Sequence, residues 1–323
     1  MTGIVIVTWN SEEVIGACLD ACAAIPGADI VVVDNASDDD TIGAVQRRAG
    51  VRLLANTRNR GFAAAVNQGI EALDTPVVLL LNPDAVPVSG VPLLNETALE
   101  KGVGAVAGQL LDHDGRRQDG FNVRRFPTAA VLALEVLGIN RAFPWNPANR
   151  RYRMIPVEKD VQDVEQPAGA FLAVNREAWE AVGGFDEAFH PVWFEDVDFC
   201  LRLRQHGYRI LYHSGAVARH TGGHSATRME WGWRQLCWYE SLLRYVAKHF
   251  APAGRRLVAA AVMLACAPRA AIAGVVKNEK SAVSVYGKVF RLAWCCWRKA
   301  SYFQTVTAGS SSRKGETGPA FLR

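Results

Sequence analysis

Residues Gly3–Thr8 form an unbroken apolar, β-branched run, the pattern of a strand buried on both faces. The runs Ile30–Val33, Val51–Leu54 and Val77–Leu81 repeat it. Between them, apolar residues return at helical spacing. One helix is expected through about Cys22, behind the capping-box spacing of Asn10 and Glu13, and another from about Phe62 to Leu73. A helix near Leu93–Glu100 and a strand at Val103–Ala107 complete the alternation. Strand–helix alternation with short loops predicts an α/β fold with a mostly parallel central sheet and flanking helices. Ligands of such sheets bind outside the carboxyl ends of the strands, and Asp34, Asn59 and Asp84 all fall there.

Farther along, Asp112–Gly115 has the residues of a hairpin turn. From about Gly120 to Asp163 the pattern becomes irregular and is broken by Pro127, Pro144, Pro147 and Pro156, as in a long functional loop. Gln166–Val174 reads as a strand again, and helices rich in Trp, Tyr and Arg follow from about Glu230 to His249. The apolar stretch Leu257–Ala267 is about half of the roughly 20 residues a membrane span needs, and Pro268 interrupts it. Val283–Tyr302 alternates Lys and Arg with Trp, Phe and Tyr. Two readings fit this segment: helices lying on an anionic membrane surface, or a buried terminal helical pair. From about Thr307 the chain is Ser/Gly-rich, as in a disordered tail. The expected domains are a catalytic one over 1–225, a basic C-terminal helical extension over 226–303 and the tail over 304–323.

The composition, 50% hydrophobic and 21% charged over 323 residues, is that of a globular protein with a sizeable core. Charge adds more. The net +4 divides into +10 over residues 251–323 and −6 over the remainder, so the C-terminal part is expected to meet something anionic. Seven cysteines without a CxxC pair argue against a zinc site or disulfide framework and for a reducing compartment. The chain opens on a strand, with no leader-like segment before it, and with the reduced cysteines and the basic C-terminal segment this points to a cytoplasmic protein, peripheral on the inner face of the cell membrane.

The densest chemistry lies in Trp193-Phe194-Glu195-Asp196-Val197-Asp198, where three carboxylates within four residues open a helix carrying Arg202 and Arg204. Acids suit the positive end of a helix dipole, but placing them beside aromatics is costly unless they are held by partners. An acidic helix start paired with the arginines and a catalytic carboxylate both fit these residues alone.

Six stretches carry a resemblance: VIVTWNS (5–11), VVVDNASDD (31–39), NRGFAAAVNQG (59–69), LLLNPDA (79–85), GGFDEAFHPVWFEDVDFCLRLRQHGYRI (183–210) and HTGGHS (220–225). In this order they resemble a family 2 inverting glycosyltransferase of the GT-A (nucleotide-diphospho-sugar transferase) fold, of the rhamnosyltransferase-like and galactofuranosyltransferase-like subgroup. The resemblance covers roughly residues 3–250. It implies that Asp196, the second residue of the Glu-Asp pair, is the catalytic base, while Glu195, Asp198 and Trp193 shape the acceptor site. It implies donor-binding roles for Thr8, Asn10, Glu12, Asp34, Asn59, Gly61, Asn67, Asn82, Asp84, Gly169 and Ala170. Asp34 would bond the base or ribose, and Gly61 would let backbone approach the nucleotide.

Asp84 and His220 are the implied ligands of a Mn²⁺ or Mg²⁺ ion on the donor diphosphate. The chain departs from the family where Asn82 replaces the first carboxylate of the usual acidic pair. His190, His206, His213 and His224 have no implied role. The expected activity is a metal-dependent hexosyl transfer, from dTDP-L-rhamnose to a cell-surface glycan or polyprenyl-linked precursor at an anionic membrane surface, with no nucleic-acid partner. A UDP-galactofuranose or other UDP-hexose transferase, and an inactive membrane scaffold, are the alternatives. A sugar-nucleotide pyrophosphorylase is excluded because the first strand ends in TWNSEE (8–13), not a Gly-rich basic loop.

Overall fold

The computed structural model describes residues 2–153, 159–223, 227–276, 278–299 and 303. His224 and the expected disordered tail lie outside them. The chain divides into two compact units: Met1–Phe126 with Arg151–Pro191 and Glu195–Arg228, and Pro127–Arg150 with Val192–Phe194 and Met229–Arg323. A boundary at 225 does not separate them, because the Pro127–Arg150 segment packs with the C-terminal helices.

In the first unit the apolar runs become the strands β1 (Thr2–Thr8), β2 (Ala28–Asp34), β3 (Val51–Ala55), β4 (Val77–Leu81), β5 (Ala85–Ser89), β6 (Val103–Leu111), β7 (Val123–Arg124), β8 (Val161–Asp163), β9 (Gln166–Pro167), β10 (Phe171–Asn175) and β11 (Arg209–His220). The main sheet has the order β3-β2-β1-β4-β10-β6-β11-β5, with β8 on β11. Strands β1 to β4 run parallel, as do β6 and β11; β10 and β5 are antiparallel to their neighbours. Ile4, Ile6 and Val32 pack into one face while Val5, Val7, Val31 and Val33 pack into the other. Successive strand residues point to opposite sides, so a sheet covered on both faces needs continuous apolar runs.

Several local expectations give way. The capping box does not form: Ser11 takes the cap position of the Glu12–Ala23 helix, without a side-chain cap bond. Asn10 has a φ of 50° and turns its Oδ1 to the Asp38 N–H instead. The expected strand over 166–174 splits into β9 and β10. The irregular loop contains the helices Ala129–Val136, Ile139–Ala142 and Pro147–Arg153. The turn at Asp112 does form, closed by Asp112 N–H to the Arg116 carbonyl, with Gly115 at φ 76°.

In the second unit the helices Trp231–His249, Pro252–Val276 and Ala282–Arg298 pack on one another. Pro268 does not interrupt the second of these. Proline costs an intrahelical hydrogen bond, but Arg269 anchors this turn by donating from Nε and Nη2 to the Val136 carbonyl. By length and composition this helix could cross a membrane, a property that core helices of soluble proteins share. Val258, Val262, Val289 and Leu292 are buried, whereas Leu257, Leu264, Ile272, Val283 and Trp294 are exposed. The helical pair is therefore packed on one side and apolar on its outer side.

Candidate active site

The β1 and β2 ends are tied together. Asp34 Oδ1 accepts from Thr8 Oγ1 at 2.8 Å and from Ser37 Oγ at 2.6 Å, and its Oδ2 accepts from Ser37 N–H at 2.9 Å. Thr8 and Asp34 are both 0% exposed. The Asp34 carboxylate thus holds the turn that follows it, at the strand end where the base or ribose of a donor is expected. Asn10 and Glu12 are brought to the same place, bonding the backbone of Asp38 and Asp40 across the loop.

The 59–69 stretch serves the scaffold. Asn59 Oδ1 accepts from Gly61 N–H. Gly61 has a φ of 86°, and a Cβ there would lie 2.9 Å from the His190 ring and 3.3 Å from the Pro191 carbonyl. Its close approach is thus to His190 and Pro191. Asn67 Nδ2 donates to the Phe185 carbonyl and Glu187, and its Oδ1 accepts from Phe185 N–H and Trp179 Nε1. Its amide is engaged in clamping the 179–187 loop.

At the β4 end, Asn82 N–H donates to the Ala170 carbonyl at 3.0 Å, so these two candidates do meet. Strand β5 then turns back and pairs with β11 so that His220 lies opposite Ala85. That register sets Asp84 beside His220: Oδ1 is 3.4 Å from Nε2, with the residues 7% and 2% exposed. Asp84 Oδ2 accepts from Gly222 N–H at 2.9 Å, at a φ of 82° that only glycine adopts readily. Burial pushes the Asp84 carboxyl up, but His220 and the Gly222 N–H outweigh it and hold it below its ordinary value. His220 Nε2 is buried without a hydrogen-bond partner. A nitrogen and a carboxylate oxygen converging on one buried point fit a divalent cation of the Mn²⁺ or Mg²⁺ type. Among the described residues no third His, Cys, Asp or Glu joins them, which leaves positions for phosphate oxygens and water.

Asp196 sits in the first turn of the Glu195–Gln205 helix, against Gly169, where a Cβ would be 3.6 Å from its own Cβ. Its Oδ2 lies 3.4 Å from Gln166 Nε2, and its Oδ1 accepts from Val197 N–H. Burial raises the Asp196 carboxyl above its ordinary value; the Arg124 charge and the Val197 and Gly169 N–H groups oppose this without cancelling it. Asp198 is 0% exposed and bonded to Arg202 at 2.7 Å, with Arg202 also donating to the Val182 carbonyl. It braces the helix that carries Asp196. Glu195 is buried. Trp193 belongs to the second unit; it and Phe194 have φ values of 83° and 69°, rare for aromatic residues, just before Glu195.

Three residues escaped the sequence reading: Gln118, Phe121 and Arg124. Phe121 stacks on His220 at 5.4 Å, and the Arg124 guanidinium lies 6.0 Å from the Phe121 ring centre while its charge reaches Asp196. Phe121 thus neighbours both His220 and Arg124, and Arg124 is near enough for its charge to act on Asp196. The sequence signal was slight: Phe121 and Arg124 begin an irregular segment, and Gln118 stands just before it.

A mixed, mostly parallel sheet with acidic strand-end chemistry and a half-buried carboxylate at a helix start is compatible with a nucleotide-sugar transferase. The family model described as "Glycosyltransferase like family 2" matches residues 2–237, and the chain belongs to that family. It is 31% identical over 213 residues to the N-acetylglucosaminyl-diphospho-decaprenol L-rhamnosyltransferase of Mycobacterium tuberculosis, covering 62% of this chain and 68% of the relative. To the rhamnosyltransferase WbbL of Escherichia coli it is 26% identical, over 77% of this chain and 93% of that one. Among solved structures, the Pyrobaculum calidifontis mannosyltransferase PcManGT, determined with GDP-Man and Mn²⁺, is similar in fold. It has a TM-score of 0.52 at 20% identity, over 92% of this chain and 87% of that one.

Proposed function

We propose that this glycosyltransferase is a metal-dependent inverting enzyme that moves rhamnose from dTDP-L-rhamnose to a glycan or polyprenyl-linked precursor. The observation that carries the reading is the buried Asp84–His220 pair, linked through Phe121 and Arg124 to Asp196. The named relatives support the choice of rhamnose.

Inverting transfer is a single displacement, so no enzyme nucleophile is required. Asp196 accepts the proton of the acceptor hydroxyl as that oxygen bonds to the anomeric carbon and the bond to the diphosphate breaks. Arg124 supplies positive charge that favours the ionised form a base needs, against the burial that opposes it. Gly169 leaves the space beside Asp196 free of a side chain. Asp84 and His220 would hold the divalent ion, which when bound neutralises charge on the departing diphosphate. The β1 and β2 loops, with Asn10, Glu12 and Ser37 at their rim, are where the nucleoside would lie.

A panel of nucleotide sugars read by thermal unfolding tests the donor. With Mn²⁺, dTDP-L-rhamnose is expected to raise Tm most, since a ligand at 100 times its Kd stabilises by about 2.7 kcal/mol. A larger shift with UDP-galactofuranose or another UDP-hexose would replace rhamnose as the donor.

The second unit is proposed to rest on an anionic membrane surface. Its exposed Leu264, Trp294 and Phe290 stand on helices within the +10 segment, matching apolar burial with charge attraction. The protein is expected to sediment with anionic vesicles and to be released as salt rises. Leu264→Glu with Trp294→Glu should leave it in the supernatant. Unchanged sedimentation of the doubly substituted protein would mean that this face does not touch lipid.

A further inference from the structure

Gln118 lies in the hairpin that follows β6, half-buried, and is pinned there. Its N–H donates to the Leu110 carbonyl, and its own carbonyl accepts from Phe121 and Asn122 N–H. The side chain reaches across to His220 and bonds it twice. Gln118 Nε2 lies 2.6 Å from the His220 carbonyl oxygen, and Gln118 Oε1 lies 3.0 Å from His220 Nδ1. A carbonyl oxygen only accepts, so the amide must present its NH₂ to it. The opposite orientation would press two acceptors together at 2.6 Å. With the amide so oriented, Oε1 faces Nδ1, and since Oε1 only accepts, Nδ1 must carry the proton.

The tautomer of the neutral ring follows. Its Nε2 then bears a lone pair, buried, with no hydrogen-bond partner and 3.4 Å from Asp84 Oδ1. A lone pair directed at a carboxylate oxygen in a buried place needs a cation between them: a second proton on Nε2, as in the pairing that holds the Asp84 carboxyl down, or the metal ion that takes its place. Left to itself, the ring would adopt the other tautomer and donate Nε2–H to Asp84, which would close the site to a metal. Phe121, stacked on the ring at 5.4 Å, removes the freedom to turn.

We infer that Gln118 is a positioning residue that locks His220 in the Nδ1–H tautomer and so keeps its Nε2 lone pair directed at Asp84 for a divalent cation. This rests on the metal-binding reading above, and it assigns the selectivity of the site for a metal over an internal hydrogen bond to a residue that is not itself a ligand. A partner behind a ligating histidine generally matters 10–100-fold, as an order of magnitude, for metal affinity.

The test uses the full-length protein with ¹⁵N-labelled histidine, in wild-type, Gln118→Met, Gln118→Glu and His220→Ala forms. Thermal unfolding checks that each is folded. Metal-free ¹⁵N spectra, with His220→Ala identifying the resonances, report which ring nitrogen carries the proton. Mn²⁺ titrations in the presence of dTDP, followed by electron paramagnetic resonance, report affinity. The expected result is Nδ1–H in the wild type, a shift to Nε2–H in Gln118→Met and a loss of Mn²⁺ affinity on the order of tenfold or more. Gln118→Glu retains an acceptor facing Nδ1 but sets its second oxygen against the His220 carbonyl, so it is expected to keep the wild-type tautomer with an affinity between those of the wild type and Gln118→Met. If Gln118→Met keeps both the Nδ1–H signature and wild-type affinity, Gln118 is not what positions the ring. If the wild type takes up no Mn²⁺ with dTDP, the metal reading fails, and the nitrogen spectra by themselves still decide whether Gln118 sets the tautomer.

Discussion

Asp196→Asn is expected to lower kcat on the order of 100-fold or more, the usual worth of a positioned base, with little change in donor affinity. Asparagine keeps the shape of the side chain and removes the basicity, giving up only the 3.4 Å contact in which Oδ2 accepts from Gln166 Nε2. The pH dependence sharpens this. Burial raises the Asp196 carboxyl, so the fraction ionised is lost as pH falls through a value above the ordinary one. The acid limb of kcat should therefore lie higher than an exposed aspartate would give. Arg124→Gln removes the charge that opposes burial and should move that limb higher still.

The same shift has a consequence for stability. A carboxyl whose folded pKa exceeds its unfolded one binds more protons when folded, so its contribution to stability declines as pH rises between the two values. Asp196→Asn should accordingly leave Tm at neutral pH unchanged or raise it, which distinguishes a lost base from a damaged fold. Near-normal kcat in Asp196→Asn together with an inactive Glu195→Gln would place the base one residue earlier.

The other large effect is expected at the cation site. Chelation should abolish transfer, and Mn²⁺ or Mg²⁺ should restore it. Asp84→Asn and His220→Ala should each lose transfer by about a thousandfold, since a metal contributes several kcal/mol of charge stabilisation. Unlike Asp196→Asn, both should also lose Mn²⁺ uptake with dTDP, and this separates the two classes of defect. The acid behaviour has the opposite sign too. Asp84 is held below its ordinary value, so its ionised form contributes stability above the unfolded pKa, and that contribution is lost as pH falls through the lower folded one. Full transfer in excess chelator would remove the ion from the mechanism.

Much of this was legible in the chain. A strand buried on both faces must be apolar at every position, so β1, β2 and β4 announce themselves, and the polar residues where they stop mark the ligand edge of the sheet. The Glu-Asp pair at the start of a helix was legible for a similar local reason, because acids there answer the helix dipole. Local pattern misled where a side chain had a better partner far away. Asn67 has the look of a polar residue on an alanine-rich helix near a site, yet its amide clamps partners that lie 112 to 120 positions along the chain. For Asp198 the local pattern did offer the partner, since Arg202, one helical turn on, holds it at 0% exposure. Pro268 reads as a break, and tertiary packing carries the helix through it.

What the sequence determined by itself was the strand-by-strand framework and which residue types stand at its edges. These depend on burial and spacing between near neighbours. The pairing of Asp84 with His220 was decided by the tertiary structure alone. It needs β5 to fold back antiparallel on β11 in the one register that sets Ala85 opposite His220, across 135 residues of chain. The role of Gln118 depends on the same register, since only a folded sheet brings a hairpin amide within 3.0 Å of that particular ring nitrogen. Side-chain chemistry was written in the residues, but which lone pair faces which atom is set by strand register, and register is a property of the whole sheet.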